Sequence, residues 1–212
     1  MEINYLHPKY FKPNREEIQT LYGNKDKYFI LRFAKLNAFH DAGRTGIDNR
    51  IAEELIKILE PHGTIHITSE RELEPQFEKY RINIDPRKIH HALYFAHLYI
   101  GDSQTMAAEA AVLGTPSLRF NDFVGKLGYL EELEHRHSLT YGIKTSEPEK
   151  LFSLTKQLLE QEDIKSVWAK KREQMLNSCI DLTAFWVWLF ENYPASVKEW
   201  RSDKEKVFSR FR

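Results

Sequence analysis

Short apolar runs alternate with longer amphipathic stretches through the first two thirds of the chain. The apolar runs have the length of strands, and the stretches between them place apolar residues at helical spacing. The predicted strands are 28–34, 64–68, 82–84, 98–100, 117–120 and 139–143. The predicted helices are 48–59, 86–95, an alanine-rich stretch between Ser103 and Gly114, and 129–137. Strands that alternate with helices predict a parallel sheet covered on both faces, which is a three-layer Rossmann-like α/β domain.

The two ends of the chain show different patterns. Residues 1–14 contain Pro8 and Pro13 and no apolar period, which is typical of a linker-like lead-in. The last part of the chain is helical throughout, and no strand is predicted there. We therefore divide the chain into a lead-in at 1–14, a Rossmann-like domain at 15–160 and a carboxyl-terminal helical extension at 161–212.

The strongest concentration of apolar residues is the segment 182–189 in this extension. It is too short to cross a bilayer, and Asp181 and Glu191 bound it. We expect a buried helix that docks on the domain. A helix lying in a membrane interface is the weaker alternative, because the flanking residues are not strongly basic.

The most informative stretch is 101–116, GDSQTMAAEAAVLGTP, which follows one predicted strand and leads into the next. Ser103 or Asp102 can cap its helix, and Gly114 suits the left-handed residue that ends it. The amides of the first turn then lie at the positive end of the helix dipole, where phosphate binds favourably. Glu109 lies one turn beyond Thr105 on the same face of the helix, where its carboxylate is within reach of a sugar hydroxyl. The alternative is an ordinary capped helix on which Glu109 is an exposed carboxylate.

The loops at the carboxyl ends of the predicted strands gather the unusual polar residues. Ligands bind at this edge in open parallel sheets. In the first loop, His40 and Asp41 are candidates for an acid–base pair, or for an ordinary loop histidine beside a helix-starting aspartate. Arg44 is a candidate to offset diphosphate charge, or a solvated surface arginine. Ser69, in the loop after the second strand, is a further candidate contact for a ligand.

Composition excludes several classes of function. Lys plus Arg and Asp plus Glu number 31 each, so the basic excess that marks nucleic-acid binding is missing and no nucleic-acid partner is expected. Cys179 is the single cysteine, which argues against disulfides and cysteine-based metal sites. The pairs His90–His91 and His135–His137 diverge around a helix, so no metal site is expected. Without a signal peptide or a long apolar span, we expect a cytoplasmic protein with no transmembrane segment.

The chain resembles the nucleotide-sugar-binding half of GT-B glycosyltransferases and of UDP-N-acetylglucosamine 2-epimerases. Ser103, Glu109, Gly114 and Pro116 match the motif of those proteins in kind and spacing. A fuller set of segments resembles a prokaryotic family of glycosyltransferase-like proteins over almost the whole chain. These segments are YLHP, ILRF, HDAG, SERE, GDSQTMAAEAAVLGTP, GYLEEL and ENYP.

The resemblance implies a site for a nucleotide sugar, with a UDP-sugar as substrate and no cofactor. It implies that Glu109 binds the ribose hydroxyls and that the turn from Gly101 holds the diphosphate. The turn residues involved are Ser103, Gln104 and Thr105. It further implies that the backbone around Ile84 meets the base and that the loop containing Asn121 and Lys126 meets the sugar.

The sequence also departs from these relatives. Gln104 and Thr105 stand where the epimerases carry glycines, and the epimerase His-Arg element after the first strand is not reproduced. A GT-B enzyme has two Rossmann-like domains, and this chain has room for one. We therefore expect a donor-binding half that works with an amino-terminal GT-B domain in cis or in trans. A non-catalytic binding or assembly module, with the aromatic segment 182–189 as its partner surface, and an epimerase-like protein are the alternatives.

Overall fold

A computed structural model describes residues 3–35 and 46–212. In this part of the chain, five parallel strands form one sheet in the order β2-β1-β3-β4-β5. The strands are β1 (Tyr28–Phe33), β2 (Thr64–Ser69), β3 (Leu98–Gly101), β4 (Ser117–Phe120) and β5 (Thr140–Ile143). This confirms the predicted Rossmann-like α/β class.

The helices cover both faces of the sheet. The α-helices are α1 (Asn49–Leu59), α2 (Ile89–Phe95), α3 (Gln104–Leu113), α4 (Gly128–Glu131), α5 (Pro148–Glu160), α6 (Ile164–Ser178), α7 (Leu182–Glu191), α8 (Ala195–Ser202) and α9 (Lys204–Phe208). A π-helical turn (Glu132–Arg136) extends α4, and short 3₁₀ turns lie at Asn4–Leu6, Glu16–Leu21, Pro75–Tyr80, Pro86–Lys88 and Ser209–Phe211. Helices α1 and α5 pack together on one face, and α2, α3 and α6 pack on the other.

The predicted strand at 82–84 is wrong. Arg81 forms a single parallel bridge with Ile67 on β2, and the amide of Ile82 donates to the Ile67 carbonyl at 2.9 Å. Pairing stops there because Asp85 and Pro86 turn the chain into a 3₁₀ turn, and proline has no amide to continue a ladder. The segment therefore lies beside β2 as an extended strip that pairs at one point.

Helix α3 packs closely on the sheet because its inner residues are small. Ala107, Ala108, Ala110 and Ala111 are all fully buried. The helix ends at Gly114, whose φ of 82° lies in the left-handed region that glycine adopts without strain. The sheet beneath it is equally buried, as expected for parallel strands covered on both faces.

The carboxyl-terminal helices divide into two groups. Helix α6 belongs with the sheet, because Ile164, Trp168 and Met175 join the main hydrophobic core. Helices α7 to α9 instead form a small separate cluster around Phe185, Leu189 and Val207. By hydrophobic contact, α6 therefore packs with the sheet and α7 to α9 pack with one another. The division of the chain at residue 161 stays a prediction.

Helix α7 buries only one face, which corrects the expectation of a buried helix. Phe185 and Leu189 are buried, whereas Trp186 is 45% exposed and Phe190 is 70% exposed. The rings of Trp186 and Phe190 stack with their centroids 5.5 Å apart. The small cluster of α7 to α9 is too thin to cover both sides of α7. None of the helices in the described ranges is long and apolar enough to cross a membrane.

The lead-in at 1–14 is packed where the structure describes it. Ile3 and Leu6 are buried in the main core, in contact with α3. Asn4, Lys9 and Tyr10 all hydrogen-bond to the carboxylate of Asp181, which caps α7. The lead-in therefore connects α3 with the start of the helical extension.

Candidate functional site

The amino terminus of α3 lies at the carboxyl edge of the sheet, directly after β3. Its N-cap is Ser103, whose hydroxyl accepts from the amide of Met106 at 3.4 Å. An α-helix leaves the amides of its first turn without helical partners, and Ser103 satisfies only one of them. The amides of Gln104 and Thr105 therefore point out of the helix end, where the dipole favours an anion.

A cavity of about 330 Å³ opens beside this helix terminus. Two of its lining residues, Ser69 and Ile84, are among those that the sequence predicts to contact a ligand. Met106, in the first turn of α3, closes one side. The remaining lining residues come from the ends of β1 and β2 and from the segment that leads into α2: Arg32, Ile67, Thr68, Arg81, Ile82, Pro86 and Ile89. The cavity thus combines apolar walls with a few polar groups, as small-molecule sites do.

Arg32 is a charged residue of this cavity that the sequence reasoning missed. Its guanidinium donates to the Thr68 hydroxyl at 2.9 Å and pairs with the carboxylate of Glu70. Its Nε atom is buried and has no hydrogen-bond partner among the described residues. The sequence does indicate Arg32, because an arginine near the end of an otherwise apolar buried strand needs a polar partner.

Gly101 lies in register with Arg32 on the neighbouring strand. A Cβ at Gly101 would come 2.8 Å from the Cβ of Arg32 and would also collide with the Tyr99 hydroxyl. Glycine is therefore required here by the packing of β3 against Arg32. Its contact with a diphosphate stays a prediction.

Glu109 is buried, which corrects the alternative of an exposed helix carboxylate. Only 8% of the residue is accessible to solvent. The hydroxyl of Tyr5 donates to Glu109 Oε1 at 2.5 Å, and Nε2 of His90 lies 3.2 Å from the same oxygen. Partial desolvation of its hydroxyl, together with the bond to Glu109 and the charge on that carboxylate, raises the pKa of Tyr5, so its hydroxyl stays a donor.

Asp102 is the second residue that the sequence reasoning missed, since it was considered only as a helix cap. It is 1% exposed, and its two carboxylate oxygens accept from the amide of Ala34 at 2.6 Å and the amide of Ile47 at 3.1 Å. Burial raises the pKa of Asp102 to about 6, although these amide bonds act in the opposite direction. Asp102 thus ties the end of β1 to the residues just before α1.

Asp102 connects the two described ends of the loop that carries the predicted catalytic residues. His40, Asp41 and Arg44 lie within 36–45, outside the described residues. Arg71 supports the same junction, because its guanidinium donates to the Ile47 carbonyl. Its charge lies over the ring of Phe33, 5.1 Å from the centroid. The proposed roles of His40, Asp41 and Arg44 stay predictions.

Asn121 is fully buried at the end of β4. Its side-chain amide donates to the Asp102 carbonyl at 2.9 Å, and its side-chain oxygen accepts from the Phe123 amide at 3.0 Å. Both polar groups of Asn121 therefore hold the loop in place. Lys126, in the same loop, is exposed. The contact of this loop with a sugar stays a prediction.

Behind that loop, a buried guanidinium meets two carboxylates. Arg119 is completely buried, and its Nη2 lies 3.6 Å from an oxygen of Glu131 and 3.6 Å from an oxygen of Glu134. Glu131 also accepts from the Gly125 amide at 3.0 Å and contacts His135. The carboxylates of Glu131 and Glu134 lie close to His135, but their positions are explained by the charge on Arg119.

Two further cavities lie away from these groups. One, of about 630 Å³, follows the outer edge of β2 near Gly63 and Lys25. The other, of about 270 Å³, lies between α3, α4 and α6 beside Cys179. Neither includes the first turn of α3. A smaller cavity, of about 200 Å³, lies at the amino terminus of α7 beside Asp181 and Ala184. Of these four cavities, all lined by described residues, the one at Ile84 and Met106 includes the first turn of α3.

No family model matches the chain, and no curated protein matches it. Among solved structures, the calicheamicin glycosyltransferase CalG4 is similar at 13% identity and a TM-score of 0.51, over 87% of this chain and 45% of that one. The spinosyn forosaminyltransferase SpnP is similar at 15% identity and a TM-score of 0.47, over 77% of this chain and 44% of that one. A UDP-N-acetylglucosamine 2-epimerase is similar at 18% identity and a TM-score of 0.45, over 74% of this chain and 39% of that one.

The chain spans less than half the length of each of these proteins. At such low identity the likeness shows the fold alone. The assignment of the fold rests on the match to the calicheamicin enzyme. The fold is that of one Rossmann-like domain of a GT-B-like protein, as the motif around Ser103 predicts.

Proposed function

We propose that this chain is the nucleotide-sugar-binding domain of a GT-B-like glycosyltransferase and that its ligand is a UDP-sugar. The observation that carries the proposal is the cavity at the first turn of α3, with the buried carboxylate of Glu109 one turn further along the helix. Uncommitted amides, an arginine and a carboxylate at this spacing suit a diphosphate and a ribose. The resemblance around Ser103 and Glu109 supports the same ligand.

The diphosphate binds at the amino terminus of α3 in this proposal. The amides of Gln104 and Thr105 donate to its oxygens, and the helix dipole favours its charge. Arg32 lines the adjoining cavity, which includes Met106 of the first turn of α3, and supplies a cation. These groups also stabilise the charge that develops on the diphosphate as it leaves the sugar, which is the contribution of a donor domain to glycosyl transfer.

The base and the ribose occupy the other parts of the site. The base lies in the apolar part of the cavity against Ile84, Ile89 and Met106, where the extended strip beside β2 offers backbone groups to its edge. The ribose hydroxyls donate to Glu109. The acceptor is held by an amino-terminal GT-B domain, in cis or in trans, because one domain can hold only the donor.

Isothermal titration calorimetry of the chain with UDP, UDP-N-acetylglucosamine, GDP and ATP tests this proposal. We expect weak binding of the two uridine nucleotides. The Glu109→Gln variant should lose about 1.5–3 kcal/mol of the free energy of UDP binding, the range for a hydrogen bond to a charged group. Glu53→Gln, which changes an exposed glutamate on α1, is the matched control and should bind as the wild type does.

Two outcomes would contradict the proposal. Absence of binding to all four nucleotides at millimolar concentration would do so, and it would favour the non-catalytic binding module. Normal binding of UDP by the Glu109→Gln variant would remove Glu109 from the site.

A further inference from the structure

The lead-in places a tyrosine at the candidate ribose site. Tyr5 lies between the buried residues Asn4 and Leu6, in a 3₁₀ turn that packs against α3. This packing fixes the backbone on both sides of Tyr5, so its side chain is directed at Glu109. Tyr5 and Glu109 are 104 positions apart in the sequence, and the contact exists because the lead-in folds back over the helix.

The two oxygens of Glu109 have different surroundings. Oε1 accepts the hydrogen bond of the Tyr5 hydroxyl at 2.5 Å, and His90 Nε2 lies beside the same oxygen at 3.2 Å, within ion-pair distance. Within the described ranges, no hydrogen bond to Oε2 is found, and Oε2 is not among the fully buried atoms that lack a partner. Oε1 is therefore held by the protein, while Oε2 remains accessible.

The ring contacts around this carboxylate keep the arrangement rigid. The rings of Tyr5 and His90 lie 5.7 Å apart, and the ring of Phe11 packs edge-on with His90 at 6.1 Å. A glutamate side chain otherwise samples several rotamers, and ordering it on binding a ligand lowers the affinity. Fixing one oxygen in advance lowers that cost.

We propose that Tyr5 and His90 are positioning residues, which hold Glu109 by Oε1 so that Oε2 accepts a hydrogen bond from a ribose hydroxyl. This inference rests on the proposed function. It makes the lead-in a working part of the donor site, and it assigns a role to a tyrosine that is 51% exposed beside the site.

The test compares Tyr5→Phe with Tyr10→Phe. Both variants remove a phenol that donates to a carboxylate from the same lead-in, but Tyr10 donates to Asp181. Calorimetry with UDP and with 2′-deoxy-UDP gives the readout, since the preference for the ribose hydroxyl depends on how Glu109 is held. Urea denaturation of each variant shows whether the fold is intact.

We expect Tyr5→Phe to bind UDP about three- to tenfold more weakly, the effect of one hydrogen bond, and to lose most of its preference for UDP over 2′-deoxy-UDP. Tyr10→Phe should keep both the affinity and the preference. His90→Gln, which keeps a polar side chain beside Oε1, should bind UDP more tightly than His90→Ala.

Unchanged binding of both nucleotides by Tyr5→Phe would overturn the inference while leaving the proposed function intact. Tighter binding of UDP by Tyr5→Phe would also overturn it, because Tyr5 would then compete with the ribose for Glu109. A wild-type chain that binds no UDP would overturn the proposed function and this inference together.

Discussion

Single buried polar side chains organise the carboxyl edge of the sheet. Asp102, Glu109 and Asn121 are each buried, and each makes hydrogen bonds to groups distant in the sequence. Burying a carboxylate is costly unless hydrogen bonds compensate for lost hydration. Because perturbed ionisable groups cluster at functional sites, this edge is where we propose that the ligand binds.

Asp102 gives a prediction about pH. Its folded-state pKa is raised from 3.8 to about 6, so the folded chain binds the proton more tightly than the unfolded chain. The stabilising contribution of this proton is therefore complete below the ordinary pKa and is lost as the pH rises through about 6. The free energy of unfolding of the wild type minus that of Asp102→Asn should fall between about pH 4 and about pH 6.

Urea denaturation of the two proteins between about pH 4 and about pH 7 measures this difference. The comparison with Asp102→Asn cancels the titration of all other groups. A difference that stays flat, or that rises over this range, would show that the amides of Ala34 and Ile47 hold the pKa of Asp102 down.

At the scale of elements, local chemistry predicted α3 well. Ser103 caps it and Gly114 ends it, because both signals depend only on backbone geometry near the residue. The strip at 82–84 could not be predicted in the same way, since pairing depends on its neighbour β2 and on the turn at Pro86. The exposure of one face of α7 could not be predicted locally either, because it depends on which other helices pack against α7.

The junction between the lead-in and α7 gives a second prediction. Asp181 caps α7, where its carboxylate accepts from the amide of Ala184, and it accepts also from Asn4, Lys9 and Tyr10. Burial alone would raise the pKa of Asp181, but these hydrogen bonds outweigh burial and hold the pKa below its usual value. Asp181→Ala should reduce the free energy of unfolding by about 2–3 kcal/mol.

Asp203→Ala is the matched control for this prediction. Asp203 caps α9 by accepting from the amide of Lys206, but it is exposed. Asp203→Ala should reduce the free energy of unfolding by about 0.5–1 kcal/mol, the usual contribution of an N-cap. Tryptophan fluorescence follows both variants, since Trp188 and Trp200 lie in the affected cluster. Equal losses would mean that the contacts from the lead-in add nothing.

For the whole molecule, the periodic pattern of the chain predicted the fold class, because alternating strands and helices allow few arrangements. The candidate site was predicted only in part. Ser69 and Ile84 do line one cavity with α3. The contacts of Arg32, Asp102 and Tyr5 join segments far apart in the sequence, and no local pattern shows which segments the fold brings together.

The whole chain also sets a limit on activity. It has the fold of one domain and spans less than half the length of the calicheamicin glycosyltransferase to which it is similar. Holding donor and acceptor together accounts for about 7–11 kcal/mol of the barrier to a reaction between two substrates. If the chain is the donor domain that we propose, a partner has to hold the acceptor.

The most direct test of the donor site is a titration of the ¹⁵N-labelled chain with UDP, followed by amide chemical shifts. We predict saturable shifts that are largest at the amides of Gln104 and Thr105, with further shifts at Ile84, Met106 and Glu109. The helices α8 and α9 should not respond. Shifts confined to the cavity beside Cys179 or to the outer edge of β2, or no shifts at millimolar UDP, would contradict a nucleotide-sugar site at the amino terminus of α3.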